Sequence, residues 1–247
     1  MAVLALSPRE PSAIYLDADP NGLALVGGVL YVSDAETGMV LRADGRALGR
    51  LPDHVRGIAA APDGAVYAAT RHAVHRITAD GSAIELDLPA EPWRVGVACR
   101  GRAVYATQFY NGPGGPYDGS VVRIADGRVT TIARGFAKPV GLAWVGDSLL
   151  VTDAVQRGVF AIDGRRYVRA LAAPDARPDS ICPYDRESAL VTTYDADAHR
   201  GAVLRVWLDG RSRELASGPW QPRGIASDGE LVFVADRHDR RIVVLAL

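Results

Sequence analysis

The chain of 247 residues is 48% hydrophobic and 23% charged, a composition typical of a folded globular protein with a large core. Its formal net charge of -1 excludes a general electrostatic attraction to nucleic acid or to an anionic membrane surface. No apolar run approaches the roughly 18 residues that a membrane-spanning helix needs, so we expect neither nucleic acid nor membrane as a partner.

The N-terminal segment contains a short apolar run, Met1 to Ser7, with no basic residues before it. Because a secretory signal peptide needs such a basic region, the sequence predicts a cytoplasmic protein. A strand-like segment, Ala13-Ile14-Tyr15-Leu16, precedes the first repeat and belongs to none. Cys99 and Cys182 are far apart and lack metal-type spacing, which predicts two free structural thiols.

A short pattern recurs six times along the rest of the chain. Each copy places a glycine, or once a serine, before an apolar residue, and the copies are 35 to 45 residues apart. A period near 40 is typical of β-propellers, in which each repeat forms one blade. The residues that precede the six glycine or serine positions are Asn21, Arg56, Val95, Val140, Asp179 and Arg223.

Further runs of β-branched and aromatic residues follow within each repeat, as in Leu30-Tyr31-Val32 and Val40-Leu41-Arg42. Such runs predict short strands, and no stretch keeps the 3.6-residue period of a helix. The sixth repeat contains only three of its four strands, which would leave an open sheet edge. We therefore predict one all-β domain over residues 1–247. It is a six-bladed β-propeller with four-stranded antiparallel blades, closed by an N-terminal strand at about residues 13–16.

The loops of such a propeller divide between two faces, because successive strands alternate in direction. One set consists of Asp-Gly hairpin turns such as Asp63-Gly64, which need no functional explanation. The other set includes the two longer loops, near residues 109–120 and 194–201, and long loops on a rigid scaffold commonly carry function. We predict that this face forms the functional site through Asn21, Arg56, His72, Arg94, Gln108, Tyr110, Asp179, Tyr194, His199, Arg223 and His238.

Three charged residues form the centre of this predicted site. In a six-fold ring Arg56 lies opposite Asp179, and Arg223 belongs to the blade next to Asp179. We expect Asp179 to orient the substrate or abstract a proton, and the two arginines to bind a carboxylate or phosphate. The structural alternative is an ion-pair network that only fills the channel. Arg94 adds positive charge beyond this pairing and favours an anionic ligand.

Other polar residues have simpler predicted roles. The histidines come from separate loops without paired spacing, which argues against a zinc site. Charged residues that recur at equivalent positions of several blades are typical of the scaffold. These are Arg42, Arg76, Arg123 and Arg205 in the third strands, and Asp34, Asp153 and Asp236 at the ends of the second strands.

The stretch Lys138-Pro139-Val140-Gly141-Leu142-Ala143-Trp144, continued by Leu149-Leu150-Val151-Thr152-Asp153, resembles a repeat of the SMP-30/gluconolactonase and strictosidine-synthase-like propellers. The segment from Arg223-Gly224-Ile225 to Phe233-Val234-Ala235-Asp236 is similar to the related NHL-repeat propellers. The likeness covers essentially the whole chain as a degenerate repeat pattern. It implies a propeller enzyme that acts on a small molecule.

The gluconolactonase resemblance also implies a divalent cation in the channel, most often calcium. Asp179 matches an aspartate ligand of that branch, and Asn21 stands where a glutamate is expected. Val140 replaces a middle asparagine. Calcium prefers six to eight oxygen ligands with net negative charge, and the arginines nearby depart from that preference. A calcium site that includes Asn21 and Asp179, or no cofactor, are the two alternatives.

The sequence thus predicts an enzyme that hydrolyses a lactone or ester of a small anionic substrate, with Asp179, Arg56 and Arg223 as catalytic residues. One alternative is a metal-free lyase or cyclase of the strictosidine-synthase type, in which Asp179 replaces the catalytic glutamate. Another is a non-catalytic NHL-like propeller that binds a peptide or protein through an exposed aromatic patch. The residues available for that patch are Phe109, Tyr110, Tyr117 and Tyr194.

Overall fold

The computed structural model describes residues 12–86, 92–110, 118–163 and 168–246. These residues form 24 strands in six sheets, each of four antiparallel strands. The innermost strands of neighbouring sheets contact one another around a closed ring. The predicted six-bladed β-propeller is therefore confirmed. Within the described ranges, no helix has the length and apolar character needed to cross a membrane.

The strands are numbered β1 to β24 in chain order. The innermost strands, which surround the central channel, are β2 (Pro20–Val26), β6 (Val55–Ala60), β10 (Trp93–Arg100), β14 (Pro139–Val145), β18 (Arg177–Pro183) and β22 (Pro222–Ser227). The second strands are β3 (Val29–Asp34), β7 (Val66–Thr70), β11 (Ala103–Phe109), β15 (Ser148–Asp153), β19 (Ser188–Asp195) and β23 (Leu231–Asp236).

The outer half of each blade continues the same antiparallel order. The third strands are β4 (Met39–Arg42), β8 (Val74–Ile77), β12 (Gly119–Ala125), β16 (Gly158–Ile162), β20 (Arg200–Trp207) and β24 (Arg241–Ala246). The outermost strands are β5 (Ala47–Arg50), β9 (Ala83–Glu85), β13 (Arg128–Phe136), β17 (Val168–Ala172), β21 (Ser212–Gly218) and, for the sixth blade, β1 (Ser12–Tyr15).

The ring is closed by the N-terminal strand, as predicted. Ser12 of β1 pairs with Val244 and Tyr15 pairs with Arg241, so the unpaired edge of β24 is covered. The predicted range of 13–16 is shifted by one residue, because Leu16 continues the pairing only through its N–H, which donates to the Arg240 carbonyl at 3.1 Å. The four-residue β1 then forms the outer edge of the sixth blade, and a very short edge strand is one way in which proteins limit edge-to-edge aggregation.

Each pair of adjacent blades packs through its own cluster of buried apolar residues. Val40 and Ile77 meet between the first and second blades, and Tyr105 and Leu149 meet between the third and fourth. Equivalent clusters lie at the other four interfaces. Since alternate residues of a strand point to opposite faces of a sheet, the alternating sequence pattern supplies both faces of every blade.

A β-bulge recurs at the same point in all six innermost strands. The register with the second strand shifts there, for example between Pro20 and Leu23 in the first blade. The repeat glycines occupy these bulges because the next blade approaches closely: a Cβ on Gly96 would lie 2.2 Å from the Val140 carbonyl oxygen. The bulge redirects the residue before each glycine, and these residues line the channel.

Candidate functional site

The central channel opens at one end into a cavity of about 240 Å³, which we call the mouth cavity. Six cationic side chains of the described chain line it, together with a single carboxylate and two aromatic rings. A narrower section of about 60 Å³ continues below it, ringed by the repeat glycines and the residues beside them. The lining residues that carry charge or an aromatic ring are Arg56, Arg71, Trp93, Arg94, Phe109, Lys138, Arg177, Asp179 and Arg223.

The mouth cavity brings together five of the residues predicted from the sequence. These five come from five different blades, and only the ring closure places them around one cavity. They are Asn21, Arg56, Arg94, Asp179 and Arg223.

Asp179 and Arg223 form an ion pair between adjacent blades. Arg223 Nη1 donates to Asp179 Oδ2, and the two side chains are only 20% and 19% exposed. Asp179 Oδ1 accepts no hydrogen bond from any residue of the described ranges. One carboxylate oxygen is thus fixed by the guanidinium, and the other is available to a water molecule or a substrate.

Hydroxyl groups of the second strands hold the backbone of the predicted catalytic residues. Thr152 Oγ1 accepts a hydrogen bond from the Gly141 N–H at 2.8 Å and donates to the Asp179 carbonyl of the next blade at 2.6 Å. Ser33 and Thr192 donate in the same way to the Arg56 and Arg223 carbonyls, at 2.9 and 2.8 Å. Each hydroxyl therefore ties one blade to the bulge of the next.

We expect Thr152→Val to lower the free energy of unfolding by about 1–3 kcal/mol, because it leaves a buried N–H and a buried carbonyl without their partner. Thr152→Ser keeps the hydroxyl and is the matched control, with an expected loss below about 1.5 kcal/mol for the missing methyl group. Urea-induced unfolding of the two variants measures the difference. Equal losses would show that the hydroxyl bridge contributes nothing to stability.

Arg94 lines the mouth cavity but differs from the other arginines. In the alignment of the blades, Val95 is equivalent to Arg56, and Arg94 stands one residue before that position. The Arg94 side chain is 2% exposed, and Nη1 donates to the His72 carbonyl at 2.6 Å. This buried guanidinium anchors the loop between β7 and β8 to the third blade.

Four lining residues with charged or aromatic side chains were not singled out from the sequence: Arg71, Trp93, Lys138 and Arg177. Trp93, Lys138 and Arg177 each stand two residues before the bulge position of their blade. Residues two apart in a strand point to the same side, so this alternation was the signal that could have revealed them. Arg71 lies in a loop, and its guanidinium stacks on Trp93 at 3.7 Å from the ring centre. No sequence pattern indicated that contact.

The cations of the mouth cavity perturb one another. Partial burial and the neighbouring guanidiniums of Arg237 and Arg223 lower the pKa of Arg56. Burial lowers the pKa of Lys138 as well, with Arg177 adding to the effect and Asp179 opposing it. Both shifts have the direction expected of like charges crowded around one carboxylate. An anionic ligand would relieve this repulsion.

The remaining predicted site residues do not line the mouth cavity. Gln108 donates to Ser120 Oγ at 3.1 Å. His72, His199 and His238 lie exposed in the loops that follow second strands, and Tyr194 is half-buried at the end of β19. Within the described ranges, no three His, Cys, Asp or Glu side chains are grouped as metal ligands would be.

The aromatic residues of the described ranges do not form the broad exposed patch that a protein-binding surface needs. Phe109 is 2% exposed and packs edge-on against Trp93, whereas Tyr110 is 51% exposed. Tyr117 and the surrounding segment 111–117 lie outside the described residues. To judge from the described residues, the mouth cavity is therefore a better candidate site than the exposed surface around it.

The predicted scaffold residues make local structural contacts. Asp153 accepts hydrogen bonds from the N–H groups of Ala137, Lys138, Val155 and Gln156, which ties together the two loops beside it. Of the third-strand arginines, Arg42, Arg76 and Arg205 pair with aspartates of their own blades, at 3.0, 2.6 and 2.5 Å.

The predicted ligands do not fit a calcium ion. Asn21 and Asp179 both line the mouth cavity, but an Asp179 oxygen is already bound by Arg223. The nearby lining groups are the cations Arg56, Arg177 and Lys138. Calcium requires six to eight oxygens and a net negative site, and this arrangement offers the opposite charge.

The two cysteines lie at the opposite end of the channel, in an apolar cavity of about 250 Å³. Both are free, as predicted. Cys99 Sγ donates to the Ala60 carbonyl at 2.6 Å. Burial raises the pKa of Cys99 to about 11 and that of Cys182 to about 12, so both remain protonated and unreactive at neutral pH.

Solved structures share this fold over nearly the full chain. A gluconolactonase from Xanthomonas campestris superposes with a TM-score of 0.79 at 20% identity, over 100% of this chain and 93% of that one. Regucalcin, a calcium-binding protein from Agrobacterium tumefaciens, gives 0.69 at 17% identity, over 95% and 90%. Virginiamycin B lyase from Staphylococcus aureus gives 0.68 at 19% identity, over 96% and 99%.

The sequence comparisons add no closer relationship. No protein-family model matches the chain, and no curated protein matches it significantly. The resemblance to gluconolactonase-type propellers is thus confirmed as a likeness of fold.

Proposed function

We propose that the protein is a small-molecule hydrolase that opens a lactone or ester bearing an anionic group in the mouth cavity. The observation that carries this proposal is the charge of the cavity, where six cations of the described residues surround one carboxylate. A carboxylate or phosphate of the substrate binds such a cluster through charge-assisted hydrogen bonds. The fold shared with gluconolactonases supports the reaction class. The cytoplasmic location expected from the sequence stays a prediction.

In the proposed reaction, Asp179 acts as the general base. Oδ2 stays bound to Arg223, and Oδ1 accepts a proton from a water molecule as that water adds to the carbonyl carbon of the substrate. The carbonyl oxygen becomes an oxyanion, which the neighbouring guanidiniums stabilise. When the intermediate collapses, the C–O bond of the ester or lactone breaks, and the leaving oxygen takes the proton back from Asp179.

The test is a pair of lactones that differ only in an anionic substituent. Because two charge-assisted hydrogen bonds stabilise binding by about 1.5–3 kcal/mol each, we expect kcat/KM for the anionic lactone to exceed that for the neutral one at least about 100-fold. Equal turnover of both lactones, or of neither across a panel of ring sizes, would contradict the proposal.

Arg56→Met should reduce that preference, and Arg200→Met is the control. Arg200 is an exposed arginine paired with Glu214, and it is not among the lining residues. The kinetic measurement separates the two roles: the KM of the anionic lactone should rise in Arg56→Met, while the neutral lactone is little affected. The Arg200→Met values should equal those of the unmodified protein.

A lyase is the second candidate, because the same groups suit proton abstraction. A carboxylate beside several cations can remove a proton from the carbon next to a substrate carboxylate, and the cations then stabilise the enolate. The two reactions differ in the fate of water. Turnover in ¹⁸O-labelled water places the label in the product of hydrolysis, whereas elimination forms a double bond without the label.

A further inference from the structure

Lys138 is the one lysine of the chain. The sequence has 28 Lys and Arg residues, and every other one is an arginine. A guanidinium is effectively always protonated in proteins, whereas an ammonium can lose its proton and become a nucleophilic amine. A position that needed only positive charge would be served by arginine, as it is elsewhere in this cavity.

The backbone of Lys138 is firmly held. Its N–H donates to both oxygens of Asp153, at 3.1 and 3.0 Å, and its carbonyl accepts from the Ala154 N–H at 3.0 Å. These bonds fix the residue directly before β14, where its side chain lines the mouth cavity. The amine is therefore presented to the cavity from a rigid base.

The surroundings of the Lys138 amine disfavour its charged form. No described carboxylate lies within 4.0 Å of Nζ, and the Phe109 ring, whose centre is 5.6 Å away, offers the charged form only a cation–π contact. Burial lowers its pKa, the charge of Arg177 lowers it further, and Asp179 opposes the shift. Arg223 and Arg56 also face it and act in the same direction as Arg177. A lysine beside other cations is a known arrangement for an activated amine.

We propose that Lys138 is a covalent nucleophile that forms an imine with a small aldehyde or ketone carrying a carboxylate, such as a 2-oxo acid. This activity is separate from the hydrolysis proposed above and does not depend on it. The Nζ lone pair forms a C–N bond with the carbonyl carbon, and the carbonyl oxygen takes up protons and leaves as water. A protonated C=N bond remains on Lys138. The neighbouring arginines hold the carboxylate.

The test is reductive trapping with glyoxylate and sodium cyanoborohydride at neutral pH, followed by peptide mass mapping. The α-amino group of the same chain serves as an internal standard. Because the ordinary pKa of an α-amino group is about 7.7–8.0, it reacts far faster at neutral pH than a lysine with the ordinary pKa of about 10.4. We expect Lys138 to be modified at least about as fast as the α-amino group. Modification of the α-amino group alone would overturn the proposal.

Three controls distinguish a specific binding site at Lys138 from an amine that is merely accessible to solvent. Lys138→Arg keeps the positive charge. This variant should be modified only at the α-amino group, and its thermal stability should be unchanged. In a denaturing concentration of urea, the order should reverse, with the α-amino group modified first. Propanal, which lacks the carboxylate, should modify Lys138 at least about 10-fold more slowly relative to the α-amino group. Equal selectivity for glyoxylate and propanal, or unchanged selectivity in urea, would overturn the proposed anionic carbonyl site.

Discussion

Asp179→Asn should lower kcat/KM for an anionic lactone by about 10²–10⁴-fold, which is the usual contribution of a general base. The substitution keeps the shape of the side chain, and the amide oxygen can still accept the hydrogen bond from Arg223. The reason for the loss is therefore chemical: an amide cannot take a proton from water. Initial rates with the lactone pair described above provide the measurement.

Binding of a non-reacting anion distinguishes this loss from misfolding. Because Asp179→Asn removes the one carboxylate that the described residues contribute to the lining of the mouth cavity, citrate should bind the variant more tightly than it binds the unmodified protein. Asp19→Asn is the matched control. Asp19 also pairs with an arginine on this face, Arg237, at 3.0 Å, but it is not a lining residue of the mouth cavity. Weaker citrate binding by Asp179→Asn would contradict the assignment of Asp179.

Gly96→Ala should lower the free energy of unfolding by more than about 3 kcal/mol, above the usual range for overpacking. The new Cβ would lie 2.2 Å from the Val140 carbonyl oxygen, which belongs to the backbone of the next blade. If the clashing atom belonged to a side chain, that side chain could rotate away. The Val140 oxygen belongs to the backbone, which can move only if the two blades separate. Thermal or urea unfolding of the variant measures this cost.

Gly64→Ala is the control for the general effect of replacing a glycine. Gly64 has a φ of +85° in a hairpin turn, and its added Cβ would meet nothing within 4 Å. It should therefore cost only the backbone strain of about 1–2 kcal/mol. If the two variants are equally destabilised, the close approach between blades does not explain the repeat glycines.

The charged mouth cavity also makes anion binding sensitive to salt. Dissolved ions screen charges that are open to solvent, so binding that depends on such charges weakens as the ionic strength rises. The structure places cations from the second to sixth blades around one volume, so a ligand with two or more negative charges can contact several at once. The lactone and glyoxylate experiments are therefore best compared at one fixed, low salt concentration.

Much of the fold could be predicted because the repeat is local. The glycines at 22, 57, 96, 141 and 224 mark the same bulge in five blades, and the sequence spacing alone counts the blades. The closing strand was predictable for a related reason. The sixth repeat lacks one strand, and the strand-like segment around Ile14 belonged to no repeat.

The site was harder to predict, because a bulge changes which side chain faces the channel. Arg94 was expected to line the mouth of the channel with Arg56, but it stands one residue before the bulge position of Val95, and its side chain is buried against the loop of His72. Lys138 and Arg177 were missed although they stand two residues before Val140 and Asp179. Loop residues such as His199 and His238 lie on the predicted face, but outside the mouth cavity.

The sequence by itself determined the number of blades, their strand order and the positions of the five repeat glycines, since the repeat pattern depends on residues within about 40 positions of one another. Only the tertiary structure decided which charges meet. Asp179 and Arg223 are 44 residues apart in the chain, and their contact exists because the fifth and sixth blades pack side by side. Propensity and periodicity act over neighbouring residues, whereas the electrostatics of this cavity arise from closing six blades into a ring.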